Sequence, residues 1–332
     1  MKRGESAPTM KDVAREAGVS LGTVSKVING IAVGENYRRR VEDAAKKLGY
    51  TVNNYARGLK TNRTYCVALV LPSLRHPFFA ALADEIAACL RARGYRCILM
   101  ITNFDAETER ESFVMVRQNK ADGVIALTYS PDLDVDPSLP IVTIDRHFAP
   151  DIPCVSSDNE RGGRIAAERL LALGCKRLLL LHIGADVRGE PHRRASGFTD
   201  ACEARGAAYD AVVLRDSDTE SPFYRYLDAH IEGGRADFDG VFCASDALAV
   251  RVRRYLEARG VRVPEDVQLI GYDGIVNYAT KRVECSTIVQ PIGQMAETAV
   301  EVLLSGGERR EGRDVCLPVR YQSGGTTKDT PN

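Results

Sequence analysis

Residues 9–29 read TMKDVAREAGVSLGTVSKVIN. Thr9 is a helix-capping residue type, and Asp12 three positions on supplies a variant of the capping box. Val13, Ala14 and Ala17 then share one helical face, and Gly18 suits the left-handed residue that ends a helix. Ser20 caps a second helix whose Val24, Val27 and Ile28 point inward. Two helices parted by a tight glycine-containing turn form the helix-turn-helix pattern. Further along, Val41, Ala44, Ala45 and Leu48 recur at i, i+3, i+4 and i+7, which predicts a third helix ending at Gly49. An exposed helix preceded by such a turn can enter a DNA major groove, roughly 12 Å wide.

The charge distribution agrees. The 332 residues carry 45 Lys and Arg against 45 Asp and Glu, so the net charge is zero. Residues 1–63, however, hold 13 basic and 6 acidic side chains, a net +7, leaving −7 on the rest. A basic head on an acidic body points to a polyanion partner for the head alone. The length gives a prior of about two domains. No apolar run approaches the roughly 20 residues of a membrane span; the longest, 66–74 and 178–185, are strand-sized. The opening MKRGESAPTM lacks the apolar core of a secretory signal, so a cytoplasmic protein without a membrane partner is expected. The nine cysteines include no CxxC pair, which fits reduced, buried thiols. The five histidines show no metal-ligand spacing. GxGxxG after a strand, GxxxxGK[ST], HExxH and GxSxG are all missing, so no metal, cofactor or enzymatic activity is expected.

Residues 52–63, VNNYARGLKTNR, cannot build a core and read as a linker. Beyond them, apolar runs alternate with helical segments. Strands are expected at 66–71, 96–102, 123–128, 141–145, 177–183, 240–244 and 267–272. Helices are expected at 77–93, 106–119, 159–173, 192–205, 221–232, 246–259 and 292–305, with Gly94, Gly174, Gly206 and Gly260 at four helix ends. Strand–helix alternation implies parallel sheets covered by helices. About 265 residues exceed one open sheet, so two α/β lobes with a cleft at the carboxyl ends of their strands are expected.

The motifs KDVA, AGVS, TVS and VIN in residues 9–29 resemble the DNA-binding headpiece of the lactose/galactose repressor (LacI/GalR) family. Residues 53–60, NNYARGLK, resemble that family's hinge helix. From 65 to 321 the chain resembles its periplasmic-type sugar-binding fold, most specifically in ADGVIAL (121–127), VPEDVQLIGYDG (263–274) and STIVQP (286–291). The resemblance implies a three-helix headpiece (1–52), a hinge (53–63) and an α/β two-lobed, periplasmic-binding-protein-like (type I) effector domain (64–332). The N-lobe would be about 64–163 and 292–322, and the C-lobe about 164–291 and 323–332. It also implies a ligand-responsive regulator, most simply a repressor, binding palindromic operator DNA as a homodimer. Nothing after Tyr321 forms a heptad for higher assembly. The competing reading is a periplasmic-type sugar receptor without a DNA role.

The resemblance also implies contacts. Ser20, Leu21, Gly22, Thr23, Ser25 and Lys26 face base edges, with Leu21, Gly22 and Lys26 at the variable reading positions. Gly22 has no side chain to hydrogen-bond, and Leu21 offers only apolar contact, as to a thymine methyl. Asn29 and the run Arg38–Arg40 contact phosphates. In the hinge, Leu59 wedges into the minor groove, with Ala56 on the same face and Lys60 adjacent. Carried-over effector contacts are His76, Phe78, Phe79, Arg146, Arg188, Glu190, Arg194, Ser245, Asp246, Asp273 and Gln290. Several have a second reading: Phe78 and Phe79 as core, Asp246 as a helix cap, Asp273 as a turn residue, and Arg188, His192 and Arg193 as a solvated face. Ser217 stands where the purine-binding branch places a stacking phenylalanine, which argues against a purine. The arginines in the cleft favour a sugar acid; a neutral sugar fits if local acids neutralise them.

Overall fold

A computed structural model describes residues 8–28, 31–50, 63–128, 130, 138–147, 149, 152–184, 189–215, 218–305 and 314–329. The chain forms two compact units, Met1–Thr64 and Tyr65–Asn332. The expected hinge helix lies outside the described residues.

The first unit holds α1 (Met10–Ala17), α2 (Leu21–Ile28) and α3 (Glu35–Leu48). The Thr9 backbone N–H and hydroxyl both donate to Asp12 Oδ2, at 2.9 and 2.7 Å, closing the capping box. Gly18 ends α1 at φ +58° and Gly49 ends α3 at φ +61°, where a side chain would be strained. Val13, Val24 and Val41 are almost fully enclosed among Ala14, Ala17 and Ala44. The core is therefore made of small side chains, which let three short helices approach closely.

The second unit contains two six-stranded sheets. In chain order its elements are β1 (Cys66–Leu71), α4 (Pro77–Ala92), β2 (Arg96–Ile101), α5 (Ala106–Gln118), β3 (Gly123–Ala126), β4 (Ile141–Ile144), β5 (Cys154–Ser157), α6 (Asn159–Ala172) and β6 (Arg177–Ile183). There follow α7 (Arg193–Ala204, entered through a 3-10 turn at Glu190–His192), β7 (Ala208–Leu214), α8 (Ser221–Ala229), β8 (Ile231–Glu232), β9 (Arg235–Ala236) and β10 (Gly240–Cys243). The last are α9 (Asp246–Glu257), β11 (Gln268–Asp273), β12 (Ser286–Val289), α10 (Ile292–Leu304), β13 (Val315–Leu317) and β14 (Arg320–Gln322). The first sheet has the order β13-β5-β4-β3-β1-β2 and is wholly parallel; the second has the order β14-β12-β11-β10-β6-β7, with only β14 antiparallel. Both lobes thus repeat one doubly wound topology. The order reverses between β1 and β3 in one and between β6 and β10 in the other, where such sheets bind ligands.

The strands are buried runs such as CVALVL in β1, and α4 packs Leu82, Ile86 and Leu90 beneath Leu69 and Leu71. Each such side chain contributes about 1.5–3 kcal/mol. Helices α6 and α7 touch most intimately. A Cβ on Gly163 would lie 2.0 Å from the Arg194 carbonyl oxygen, and one on Gly197 would lie 2.0 Å from that of Glu160.

The lobe boundaries differ from expectation. Helix α6 packs on α7, β10 and β11, so the first crossover falls near residue 158 rather than 164. β14 pairs with β12, so the last falls at 318–319 rather than 322. β5, β7, β12, β13 and β14 went unrecognised as strands: β5 and β12 carry buried Ser and Thr, and β7 is a half-exposed edge. The helix expected to run to 232 stops at Ala229, where the β8–β9 hairpin begins.

Candidate functional site

On α2, Val24 turns into the core while Leu21, Gly22 and Lys26 face solvent, Leu21 at 44% exposure. An apolar side chain held outward at a helix start gains burial when a partner covers it. Ser20 and Thr23 are occupied locally: Thr23 N–H donates to Ser20 Oγ at 3.1 Å, and the two hydroxyls bond at 2.9 Å. Ser20 thus caps α2, and its hydroxyl is engaged locally with that of Thr23. Arg38 is exposed. Arg40 Nη2 instead donates to the Gly18 carbonyl at 3.0 Å, so this arginine braces the turn rather than standing free for a phosphate. Asn29, Ala56, Leu59 and Lys60 lie outside the described residues.

In the second unit, polar side chains gather at the carboxyl ends of the parallel strands. Asp273 ends β11 at φ +121°, and Asp145 follows β4 at φ +53°. Both are non-glycine residues at positive φ, a strain typical of ligand sites. Gln290 Nε2 donates to Asp273 Oδ1 at 2.8 Å, while Gln290 Oε1 accepts from Ser157 Oγ at 2.7 Å. Asp273 Oδ2 is buried and has no hydrogen-bond partner among the described residues. Burial raises the Asp273 pKa. His76, the residue that begins α4, likewise has a buried, unpartnered Nδ1, and burial lowers its pKa.

Arg194 sits beside this pair. Its guanidinium lies 3.7 Å above the Tyr272 ring centre, a cation–π contact. Nε donates to Asn159 Oδ1 at 2.6 Å, Nη1 donates to the Ala244 carbonyl at 2.9 Å, and Nη1 lies 3.8 Å from Asp273 Oδ1. Asn159 Nδ2 in turn donates to the Ser157 carbonyl at 2.9 Å and to Asp145 Oδ1 at 3.4 Å. Burial pushes the Asp145 carboxyl up to about 6 despite the opposing Arg194 charge. His182 stands at the end of β6 with 1% exposure and both ring nitrogens unpartnered among the described residues. Burial, reinforced by Arg194, His192 and Arg146, depresses its pKa to about 3, so the ring is neutral. Such a set of fixed donors and acceptors can bind a small polar molecule; buried polar atoms without partners are costly unless something fills the place.

Two family models match the chain: "Bacterial regulatory proteins, lacI family" over residues 9–53 and "Periplasmic binding protein-like domain" over residues 142–327. The sucrose operon repressor of Streptococcus mutans is 31% identical over 320 residues, covering 95% of this chain and 98% of its own. The chain belongs to the lacI family. It is a ligand-responsive, DNA-binding regulator, and the reading as a receptor without a DNA role falls away. Among solved structures, a transcriptional regulator CelR–cellobiose complex shares 28% identity, with a TM-score of 0.68 over 96% of this chain and 99% of that one. A lac repressor dimer bound to operator and an anti-inducer has a TM-score of 0.82 over 97% and 100%; at 22% identity it supports the fold.

Within that family's two-lobed body, the structure brings together His76, Arg146, Arg194, Asp273 and Gln290. It assigns other expected contacts elsewhere. Asp246 Oδ2 accepts the Gly274 and Ile275 N–H groups, each at 2.8 Å, and Oδ1 accepts the Thr287 hydroxyl at 2.5 Å. Its carboxylate fixes the turn after Asp273. Ser245 Oγ caps α9 through Leu248 N–H at 3.2 Å. Phe78 and Phe79 meet edge-on at 5.8 Å and are 4% and 8% exposed, so both belong to the lobe core. Glu190 lies 3.1 Å from His147 and 3.5 Å from Arg193, and Arg193 also meets Glu160. Arg188 lies outside the described residues. Asp145, Ser157, Asn159, His182 and Tyr272 were missed as site residues. The available signal was a polar residue at the end of an apolar strand, as in LLLLHI for His182 and IVTID for Asp145.

Proposed function

We propose that the chain acts in the cytoplasm as a homodimeric repressor on a palindromic operator, released or recruited by a small sugar or sugar acid held between the lobes. The observation that carries the ligand reading is a pair of buried atoms with no hydrogen-bond partner among the described residues, Asp273 Oδ2 and His76 Nδ1, whose groups act on each other electrostatically in a site braced by Gln290 and Arg194. Asp273 would accept from ligand hydroxyls and His76 would donate to or accept from them. Closing the lobes on the ligand would bias the hinge between ordered and disordered states, a coupling of typically about 1–3 kcal/mol.

The DNA arm is tested by mobility shift with the fragment upstream of the protein's own coding region. If each head neutralises about four phosphates, the log–log salt slope of the dimer should be on the order of −7. Leu59→Ala should weaken operator binding by about 1.5–3 kcal/mol through lost apolar burial and leave random DNA nearly unaffected. A slope near zero, one-to-one monomer binding, or equal losses on both DNAs would contradict the reading. The ligand arm is tested by thermal shift: a binder at 100 times its Kd stabilises by about 2.7 kcal/mol.

A further inference from the structure

The polar atoms of the interlobe site fall into two groups of opposite character. Asp273, His76 and Gln290 form one end, with an acceptor oxygen left open at Asp273. The other end centres on His182. Ala244 N–H donates to the Leu181 carbonyl at 3.0 Å, which sets Ala244 beside His182 across the β6–β10 switch point. The Ala244 carbonyl takes the Arg194 guanidinium at 2.9 Å, and the same Nη1 lies 3.8 Å from Asp273 Oδ1, so Arg194 stands between the two groups. The His192 ring is 6.1 Å from the His182 ring, edge to face. Arg146 packs against Gly189, where a Cβ would lie 3.4 Å from Arg146 Cγ, and so adjoins the turn that carries His192. The groups that disfavour a proton on His182 are thus Arg194, His192 and Arg146. Asp145, next to Arg146 in the chain, is turned to Asn159. A neutral imidazole with no hydrogen-bond partner among the described residues, under the field of the Arg194 and Arg146 guanidiniums and nearly sealed from solvent, is a donor that lacks its acceptor.

We propose that the effector carries a carboxylate, received by His182, Arg146 and Arg194, with its hydroxyls directed at Asp273 and His76. This narrows the sugar reading above to its acidic members, such as aldonates, and rests on that reading. A carboxylate offers two acceptor oxygens, enough for an imidazole N–H and a guanidinium at once. The uncharged parent sugar would leave the His182 end partly unpaired and bind correspondingly worse.

The test uses the full chain and matched pairs: gluconate and glucose, galactonate and galactose, xylonate and xylose, ribonate and ribose, screened by thermal shift and measured by calorimetry. At least one acid should bind tenfold or more tightly than its parent sugar. His182→Leu should erase that preference, weakening the acid tenfold or more and the neutral parent by less. In the unmodified protein, the imidazole nitrogen resonances of His182 should move on adding the acid and stay in place on adding the sugar, a readout that does not depend on the variant folding. A neutral sugar as the tightest ligand, unaffected by His182→Leu, overturns the carboxylate proposal and leaves the sugar reading standing. An acid that binds without moving the His182 resonances overturns it too. If nothing in the panel binds, the sugar reading itself fails, and this proposal with it.

Discussion

Leu21, Gly22 and Lys26 stand in solvent on a helix whose opposite side is anchored by Val24, and the nearby hydroxyls of Ser20 and Thr23 are satisfied by capping. His182 and Asp273 are almost completely enclosed, yet each retains polar atoms with no partner among the described residues. The two units therefore hold their binding groups in opposite ways. The helix-turn-helix unit offers a surface whose capping hydroxyls are already paired within the unit. The second unit buries groups that lack a partner among the described residues, a desolvation cost that the proposed ligand would offset. A small ligand must be surrounded to be recognised, whereas a DNA groove is read from one side.

The contrast is tested most severely where the effector unit is packed most tightly. Gly197→Ala would place a methyl group 2.0 Å from the Glu160 carbonyl oxygen, forcing α6 and α7 apart and moving Arg194 with them. We expect a loss of about 3 kcal/mol in the effector unit, read as a lower urea midpoint by circular dichroism, together with loss of effector binding. An unchanged midpoint would show that the helix pair yields more easily than its geometry implies.

A somewhat smaller effect should appear in the pH dependence of the same unit. The His182 pKa is depressed in the folded state, from 6.5 to about 3, so its contribution to stability is complete above pH 6.5 and is lost as pH falls toward 3. Asp145 has the opposite sign. Its pKa is raised to about 6, so its contribution is complete below about pH 4 and is lost as pH rises through 6. Between pH 4.5 and 6, each variant that removes one group should diverge from the parent by about 1.4 kcal/mol per pH unit. With falling pH, the parent should lose stability relative to His182→Leu and gain it relative to Asp145→Asn. Parallel curves from denaturant titrations at several pH values would show that neither group is held as the structure places it.

The same contrast explains what could be read in the sequence. The headpiece was legible almost residue by residue because capping, glycine stops and helical periodicity are local. Thr9, Asp12, Gly18 and Gly49 all act where local chemistry places them. The doubly wound body was legible from its apolar strands, but β5, β7 and β12 were not, because buried serines and an exposed edge hide a strand from hydropathy. The site was half legible. Asp246 looked like a ligand contact because it follows a strand, yet its oxygens are claimed by N–H groups at 274 and 275, contacts that only the tertiary fold creates. His182 was hidden for the complementary reason. LLLLHI marks it as a polar residue at a strand end, but that both ring nitrogens lack a partner among the described residues follows only from the tertiary fold.

The smallest expected effect separates two arginines of one run that look alike in the sequence. Arg38 is exposed, whereas Arg40 donates to the Gly18 carbonyl and covers the turn between α1 and α2. If Arg38 meets a phosphate, Arg38→Ala should weaken binding to operator and random DNA alike and reduce the magnitude of the salt slope by about one per headpiece. Its headpiece should remain as stable as the parent's. Arg40→Ala should instead loosen the turn by about 0.5 kcal/mol, the low end for one exposed hydrogen bond, read as faster amide exchange at Gly18 and Val19. It should alter affinity through the presentation of α2, with the salt slope nearly unchanged. Salt titrations and amide exchange on the two variants measure both quantities. Equal slope changes would mean that Arg40 leaves the Gly18 carbonyl to reach DNA, and that the bracing contact does not govern its role.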